Sequence, residues 1–202
     1  MEYMSFGSLY EIVKLHSRGV KLKEPACAYV LREVLLAVSF LHSRKRIHRD
    51  IKVDNILLSK SGSVKLADFG TAVQLTFQRL RRNTIAGTPY YMAPELIERK
   101  EYDEKVDIWS IGISVVELIA GVPPVNTLDP LKALEMIKTK GIVGLKGKKY
   151  SDLICNFVNE RCLRVDPDER ATAAQLLEDP WLLTAMSKEE FSKILQPMKL
   201  EI

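Results

Sequence analysis

After Pro25, apolar residues recur at three- and four-residue steps. Cys27, Val30, Leu31, Val34, Leu35, Val38 and Leu41 form one stripe, which predicts a long helix with a single buried face. Pro25 suits the first turn of that helix, where a missing N–H goes unnoticed. Upstream, Ser8 and Glu11 have the spacing of a capping box and predict a short helix over SLYEIVKLH, residues 8–16. Downstream the period changes. NILLS (55–59) and SVKLAD (63–68) are aliphatic or β-branched runs joined by KSG, the pattern of a hairpin. Residues 68–94 hold no sustained period and run into APE (93–95). From Glu104 to Ala120 the chain has helical length but is apolar nearly all round, which predicts a helix in the middle of the domain. Further helices are expected over 129–138, 151–163, 172–178 and 187–195, the last opened by a capping box of Ser187 and Glu190. The pattern is mainly α with a small β-hairpin and no internal repeat.

Composition narrows this picture only slightly. The 202 residues suit one domain or one large lobe with its own core. With 30 basic against 26 acidic side chains the net charge is +4, and the basic runs RKRIHR (44–49) and RLRR (79–82) are local. They read as solvated surface rather than as a nucleic-acid contact. Cys27, Cys155 and Cys162 are an odd number without a CxxC pair, and are expected as core or half-buried thiols in a reducing compartment. The start, MEYMSFGSLYEIV, lacks a signal-peptide pattern. The most apolar segment, 108–122, is short and carries Glu117, which argues against a membrane span. These readings together predict a soluble, cytoplasmic protein.

Chemistry enters with three short words in order: HRDIKVDN (48–55), DFG (68–70) and APE (93–95). Asn55 and Asp68 are 68 − 55 = 13 residues apart, the reach of one hairpin, so their loops return to each other. Each word alone is weak. All three in this order resemble the protein-kinase signature. Phosphoryl transfer asks a protein chiefly to position groups and neutralise charge. The resemblance implies that Asp50 accepts the substrate hydroxyl's proton or aligns that hydroxyl, with Lys52 beside the phosphoryl group as a point charge. Asn55 and Asp68 would offer oxygen ligands to Mg2+, a hard cation. Phe69 is expected to pack inward and set Asp68, and Gly70 to give the backbone freedom after it. GLKGKK, within KTKGIVGLKGKKY (138–150), does not meet the P-loop pattern and is expected as an exposed basic loop.

Longer stretches extend the likeness. MEYMSFGSL, HRDIKVDNILL, KLADFGTAVQLT, RNTIAGTPYYMAPELI, KVDIWSIGISVVELIAGVPP and DPDERATAAQLLEDPWL resemble the sterile-twenty family of serine/threonine kinases, especially its germinal-centre branch. The likeness covers residues 1–183 and leaves 184–202 as a helical extension. It implies a protein serine/threonine kinase using ATP and Mg2+ on protein substrates. By that resemblance Thr88 would contact Asp50 and Lys52, Glu95 would pair with Arg170, and Asp107 would brace the catalytic loop. By the same resemblance Thr84 falls where the family carries its activating phosphothreonine, which an upstream kinase or autophosphorylation would modify, and Arg49 would pair with its phosphate. Tyr91 stands where the family usually has Trp.

MEYM resembles the hinge between kinase lobes, with Met1 at the gatekeeper position and Glu2–Met4 as the adenine edge. The Gly-rich loop, the strand lysine and the helix glutamate of the smaller lobe are not in these residues. The expectation is therefore a hinge plus C-terminal lobe, with poor ATP affinity alone and an exposed apolar face inviting self-association. A kinase-derived scaffold without catalysis is the alternative.

Overall fold

The computed structural model describes residues 3–74 and 88–198. In chain order these form β1 (Gly7–Ser8), α1 (Tyr10–Lys14), α2 (Glu24–Ser43), β2 (Arg46–Ile47), β3 (Ile56–Leu58), β4 (Val64–Leu66) and β5 (Val73–Gln74). There follow α3 (Pro94–Ile97), α4 (Lys105–Ala120), α5 (Pro130–Lys140), α6 (Asp152–Asn156), α7 (Ala173–Leu177) and α8 (Lys188–Leu195), with short 3-10 turns between several elements.

The buried helix α4 is the axle. Thirteen consecutive residues, Val106 to Leu118, are buried, polar ones included. Asp107, Ser110, Ser114 and Glu117 each find a partner, while the Trp109 indole N–H has none among the described residues. Ser110 donates to the carbonyl of Tyr91 at 2.9 Å, and Ser114 to that of Ser110 at 2.8 Å. Gly112 permits the close approach of the next helical layer, because a Cβ there would lie 2.8 Å from the side chains of Cys162 and Leu163. That layer begins as α6 and continues through Phe157–Cys162 as a π-helix, ending on a Leu163 N–H bond to the Val158 carbonyl at 2.9 Å. The single α-helix expected over 151–163 is therefore two kinds of helix.

Helix α2 packs against α4. Pro25 lies in its first turn and Cys27, Val30, Leu31, Val34, Leu35 and Val38 are buried, while Leu41 is half-buried. By length and composition α2, rather than 108–122, would pass as a membrane span, but half of its apolar window is buried inside the protein. Cys27 and Cys162 are buried and Cys155 half-buried, all three as free thiols.

The hairpin β3–β4 forms with Ile56 opposite Leu66 and Leu58 opposite Val64. It is not alone. β1 adds a third antiparallel strand, pairing Ser8 with Leu57, and β2 pairs separately with β5. This strand pairing overrides the capping box expected at Ser8 and Glu11. Ser8 lies in β1, Leu9 occupies the cap position of α1 without a side-chain bond, and Glu11 instead pairs with Lys14 at 2.6 Å. The box of Ser187 and Glu190 does form, and Thr172 with Gln175 makes another on α7. In the loop after α5, Leu145 is buried and Lys146, Lys148 and Lys149 are exposed.

Beneath α3, Arg170 is fully buried and grips Glu95 with both arms, at 2.6 and 2.7 Å. Its remaining N–H groups donate to the carbonyls of Arg164, Lys105 and Val165, and its plane lies 5.1 Å from the Trp109 ring centre. Removing one partner leaves the other charge stranded. Glu95→Ala is expected to lower the unfolding free energy by about 3–5 kcal/mol, measured by denaturant titration. A loss under about 1 kcal/mol would assign this pair to the weak class of surface ion pairs.

Candidate active site

The loop of residues 48–55 begins where β2 ends, and α4 shapes it. The Asp107 carboxylate accepts the backbone N–H groups of His48 at 2.9 Å and Arg49 at 2.8 Å, and meets the His42 ring nitrogen at 2.8 Å. Arg49 is thereby held at a φ of 68°, a conformation that non-glycine residues adopt only under such constraint. The turn directs Asp50 away from Asp107 and toward Lys52.

Three side chains then converge. The Lys52 ammonium lies 3.1 Å from an Asp50 oxygen and donates to the Thr88 hydroxyl at 2.9 Å. The Thr88 hydroxyl donates to the other Asp50 oxygen at 3.3 Å. Thr88 comes from the turn before Pro89–Tyr91, so this triangle joins the loop to the far end of the segment leading to α3. Asn55 donates its amide to the Asp50 carbonyl at 2.8 Å and to the Asp50 carboxylate at 3.0 Å, which leaves its side-chain oxygen for a cation.

The hairpin returns the chain to this place. Beyond the Ile56–Leu66 pair, the Ala67 N–H donates to the Asn55 carbonyl at 2.8 Å, so Ala67 lies across from Asn55 and Asp68 is the next residue along the chain. Among the described residues no group of three or more His, Cys, Asp or Glu could hold a metal. Two oxygen donors from Asn55 and Asp68 fit Mg2+, which keeps waters and substrate phosphates as its other ligands.

Two expectations need correction. Phe69 does not pack inward. It is 49% exposed, resting edge-on against the buried His48 ring at 5.0 Å, because His48 already fills the space beneath. With Phe40, Leu41, Ala72 and Val73 it lines a cavity of about 660 Å3. Nor does Gly70 take the unusual backbone conformation. Asp68 does, at a φ of 61°, with one carboxylate oxygen accepting the Gly70 N–H at 3.2 Å. A Cβ on residue 70 would come within 3.2 Å of that oxygen.

The Arg49 side chain is turned to the segment after Asp68. It donates to the Thr71 carbonyl from Nε at 2.8 Å and from Nη2, and to the Tyr102 hydroxyl from Nη1 at 3.1 Å. Thr71 in turn donates to the His48 carbonyl at 2.9 Å. Met4 is half-buried and its carbonyl accepts the Gly7 N–H at 3.1 Å. Glu2, Met1 and Thr84 lie outside the described residues. Sequence reasoning missed His42, Thr71 and Tyr102, and gave His48 no role.

It also missed a buried acid. The Tyr91 hydroxyl donates to Glu117, which borders a cavity of about 510 Å3 shared with His16, Lys14 and Lys21. Burial pushes Glu117 up to about 7, helped by Asp54 and opposed by the Tyr91 bond.

Residues 1–182 match the protein kinase domain family. The chain belongs to that family. Within it, pakB of Dictyostelium discoideum, a serine/threonine-protein kinase, is 52% identical over 186 residues, 92% of this chain and 22% of the relative. The STE20 kinase of Candida glabrata is 49% identical over 183 residues, 90% of this chain and 20% of the relative. The pakC kinase of Dictyostelium discoideum is 46% identical over 197 residues, 97% of this chain and 41% of the relative. The likeness is to sterile-twenty kinases, and the chain spans about a fifth of the first two relatives.

Glu117 gives this kinase domain a pH signature. An acid raised from the unfolded 4.5 to about 7 holds a proton in the folded state that the unfolded chain has released. Its contribution to stability is thus greatest below the unfolded value, falls as pH rises, and reaches its floor above about 7. Glu117→Gln keeps a carbonyl for Tyr91 and removes the titration. Relative to the parent chain it is expected to gain about 3 kcal/mol between pH 4.5 and 8 in denaturant titrations. A pH-independent difference would mean that Glu117 does not titrate in this range.

Proposed function

We propose that this chain is the hinge and larger lobe of a protein kinase that transfers the γ-phosphate of ATP to serine and threonine hydroxyls. The triangle of Asp50, Lys52 and Thr88 carries the reading. Asp50 is held at both oxygens by cationic or hydroxyl partners, and its carboxylate would accept the proton of an incoming hydroxyl. Lys52 sits between Asp50 and Thr88, where its charge meets the phosphoryl group being transferred. Thr88 fixes that lysine through its hydroxyl.

Asn55 and Asp68 would hold Mg2+. When bound, that ion supplies neutralisation of the phosphate oxygens. The chain's own part is to set the two ligands at the open end of one hairpin, so that each fixes the other's position. Glu2 and Met4 would give adenine a backbone edge. Phosphorylation of Thr84, by another kinase or in cis, would order the segment before Thr88 through Arg49. The face of Phe40, Phe69 and Val73 supports docking of a smaller lobe, and in its absence weak ATP binding and self-association. Residues 1–183 form the kinase unit and 184–202 its helical extension. The three free thiols support a reducing cytoplasmic setting.

Calorimetric titration with Mg-ATP and a phosphotransfer assay on a serine- and threonine-bearing protein test this reading. Asp68→Ala is expected to abolish Mg-dependent nucleotide binding. Asp50→Asn is expected to keep that binding while lowering phosphotransfer by roughly 10²–10⁴-fold. Full transfer by Asp50→Asn would sink the assignment, and binding unaffected by either change would favour a scaffold.

A further inference from the structure

The hairpin that carries Asn55 and Asp68 is gripped at its closed end by the C-terminal helix. The Ser192 hydroxyl on α8 donates to the Lys60 carbonyl at 2.7 Å. Tyr29 on α2 donates to the Gly62 carbonyl at 2.9 Å, and its ring lies 5.1 Å from that of Phe191 on α8. Gly62, at a φ of 84°, leaves no room between turn and helix, since a Cβ there would fall 2.5 Å from the Lys188 carbonyl. Helix α8 is itself anchored. Its capping box is complete, Phe191 and Leu195 are fully buried, and the Met186 N–H just before it donates to the Pro25 carbonyl at 3.1 Å.

From this geometry we infer that α8 is a positioning element for the metal-binding pair, acting through Ser192 and Phe191 on the hairpin tip. The inference rests on the reading of Asn55 and Asp68 as Mg2+ ligands. Each strand is three residues long, and the turn fixed by α8 is the only covalent link between them. A shift of the tip therefore reaches the open end as a relative slide of the two strands. The bond that reports this slide is the one from the Ala67 N–H to the Asn55 carbonyl, adjacent to both ligands. A C-terminal segment remote from the triangle in sequence thus controls how well the two oxygens converge. Anything that lifts α8 from the turn would weaken metal binding without touching Asp50, Lys52 or Thr88.

Two readouts on the 202-residue chain with ATP test this: amide hydrogen exchange, and Mn2+ titration followed by paramagnetic resonance. Ser192→Ala is expected to speed exchange at Ala67 by about fivefold and to weaken Mn2+ binding by a similar factor. Exchange within α4 should stay unchanged. Phe191→Leu should act in the same direction, and Ser192→Thr, which keeps the hydroxyl, should restore parental values. Parental Ala67 exchange and Mn2+ affinity in both variants would overturn the inference, as would exchange raised equally in α4, which marks general loosening. A parent chain that binds no Mn2+ even at saturating ATP would overturn the assignment of Asn55 and Asp68 and the positioning role with it. Binding by the parent, unchanged in the variants, would overturn the positioning role alone.

Discussion

A carboxylate placed in the middle of a protein must be surrounded by hydrogen-bond donors or lose its charge. Asp107 is such a group: it is fully buried on α4, and the loop before Asp50 supplies two of its three donors. The backbone must present two successive N–H groups to one side chain, and Arg49 accepts an unfavourable φ to do so. Asp50 is aimed by this constraint, and Lys52 and Thr88 are then aimed by Asp50. The same α4 also supports the other wall, since Ser110 holds the Tyr91 carbonyl in the turn that follows Thr88. One buried helix therefore sets both sides of the triangle, and its polar residues matter more to the site than its apolar ones.

Long periodic segments were legible because a single apolar face decides them. Helices α2, α4 and α8 lie close to where their periods place them. Local signals fared less evenly, and two capping boxes show why. Ser187 with Glu190 forms its box because, among the described residues, no strand claims that backbone. Ser8 with Glu11 has the same spacing, but the backbone of Ser8 is claimed by Leu57 across the sheet, a partner 49 positions away by the numbering of the pair. Sequence spacing cannot weigh a rival so distant.

The site was legible where short words keep functional groups together, and illegible where a distant side chain completes it. Phe69 was misjudged because its environment depends on His48 beneath it. His42 and Tyr102 carry no signal of their own, since their partners are 65 and 53 residues away. Tyr91 was noticed as a departure from tryptophan, but the consequence was not. A phenol brings a hydroxyl, and that hydroxyl reaches the acid on the inner face of α4.

Arg49 has a consequence best seen by counting protons. A guanidinium owns five N–H donors in one plane. Nε and one proton of Nη2 face the Thr71 carbonyl, and one proton of Nη1 faces Tyr102. Among the described residues these bonds engage three of the five protons, and they tie the loop before Asp50 to neighbours 22 and 53 positions away. The arginine is thus a junction: the side chain of one strained residue fixes the backbone that follows Asp68.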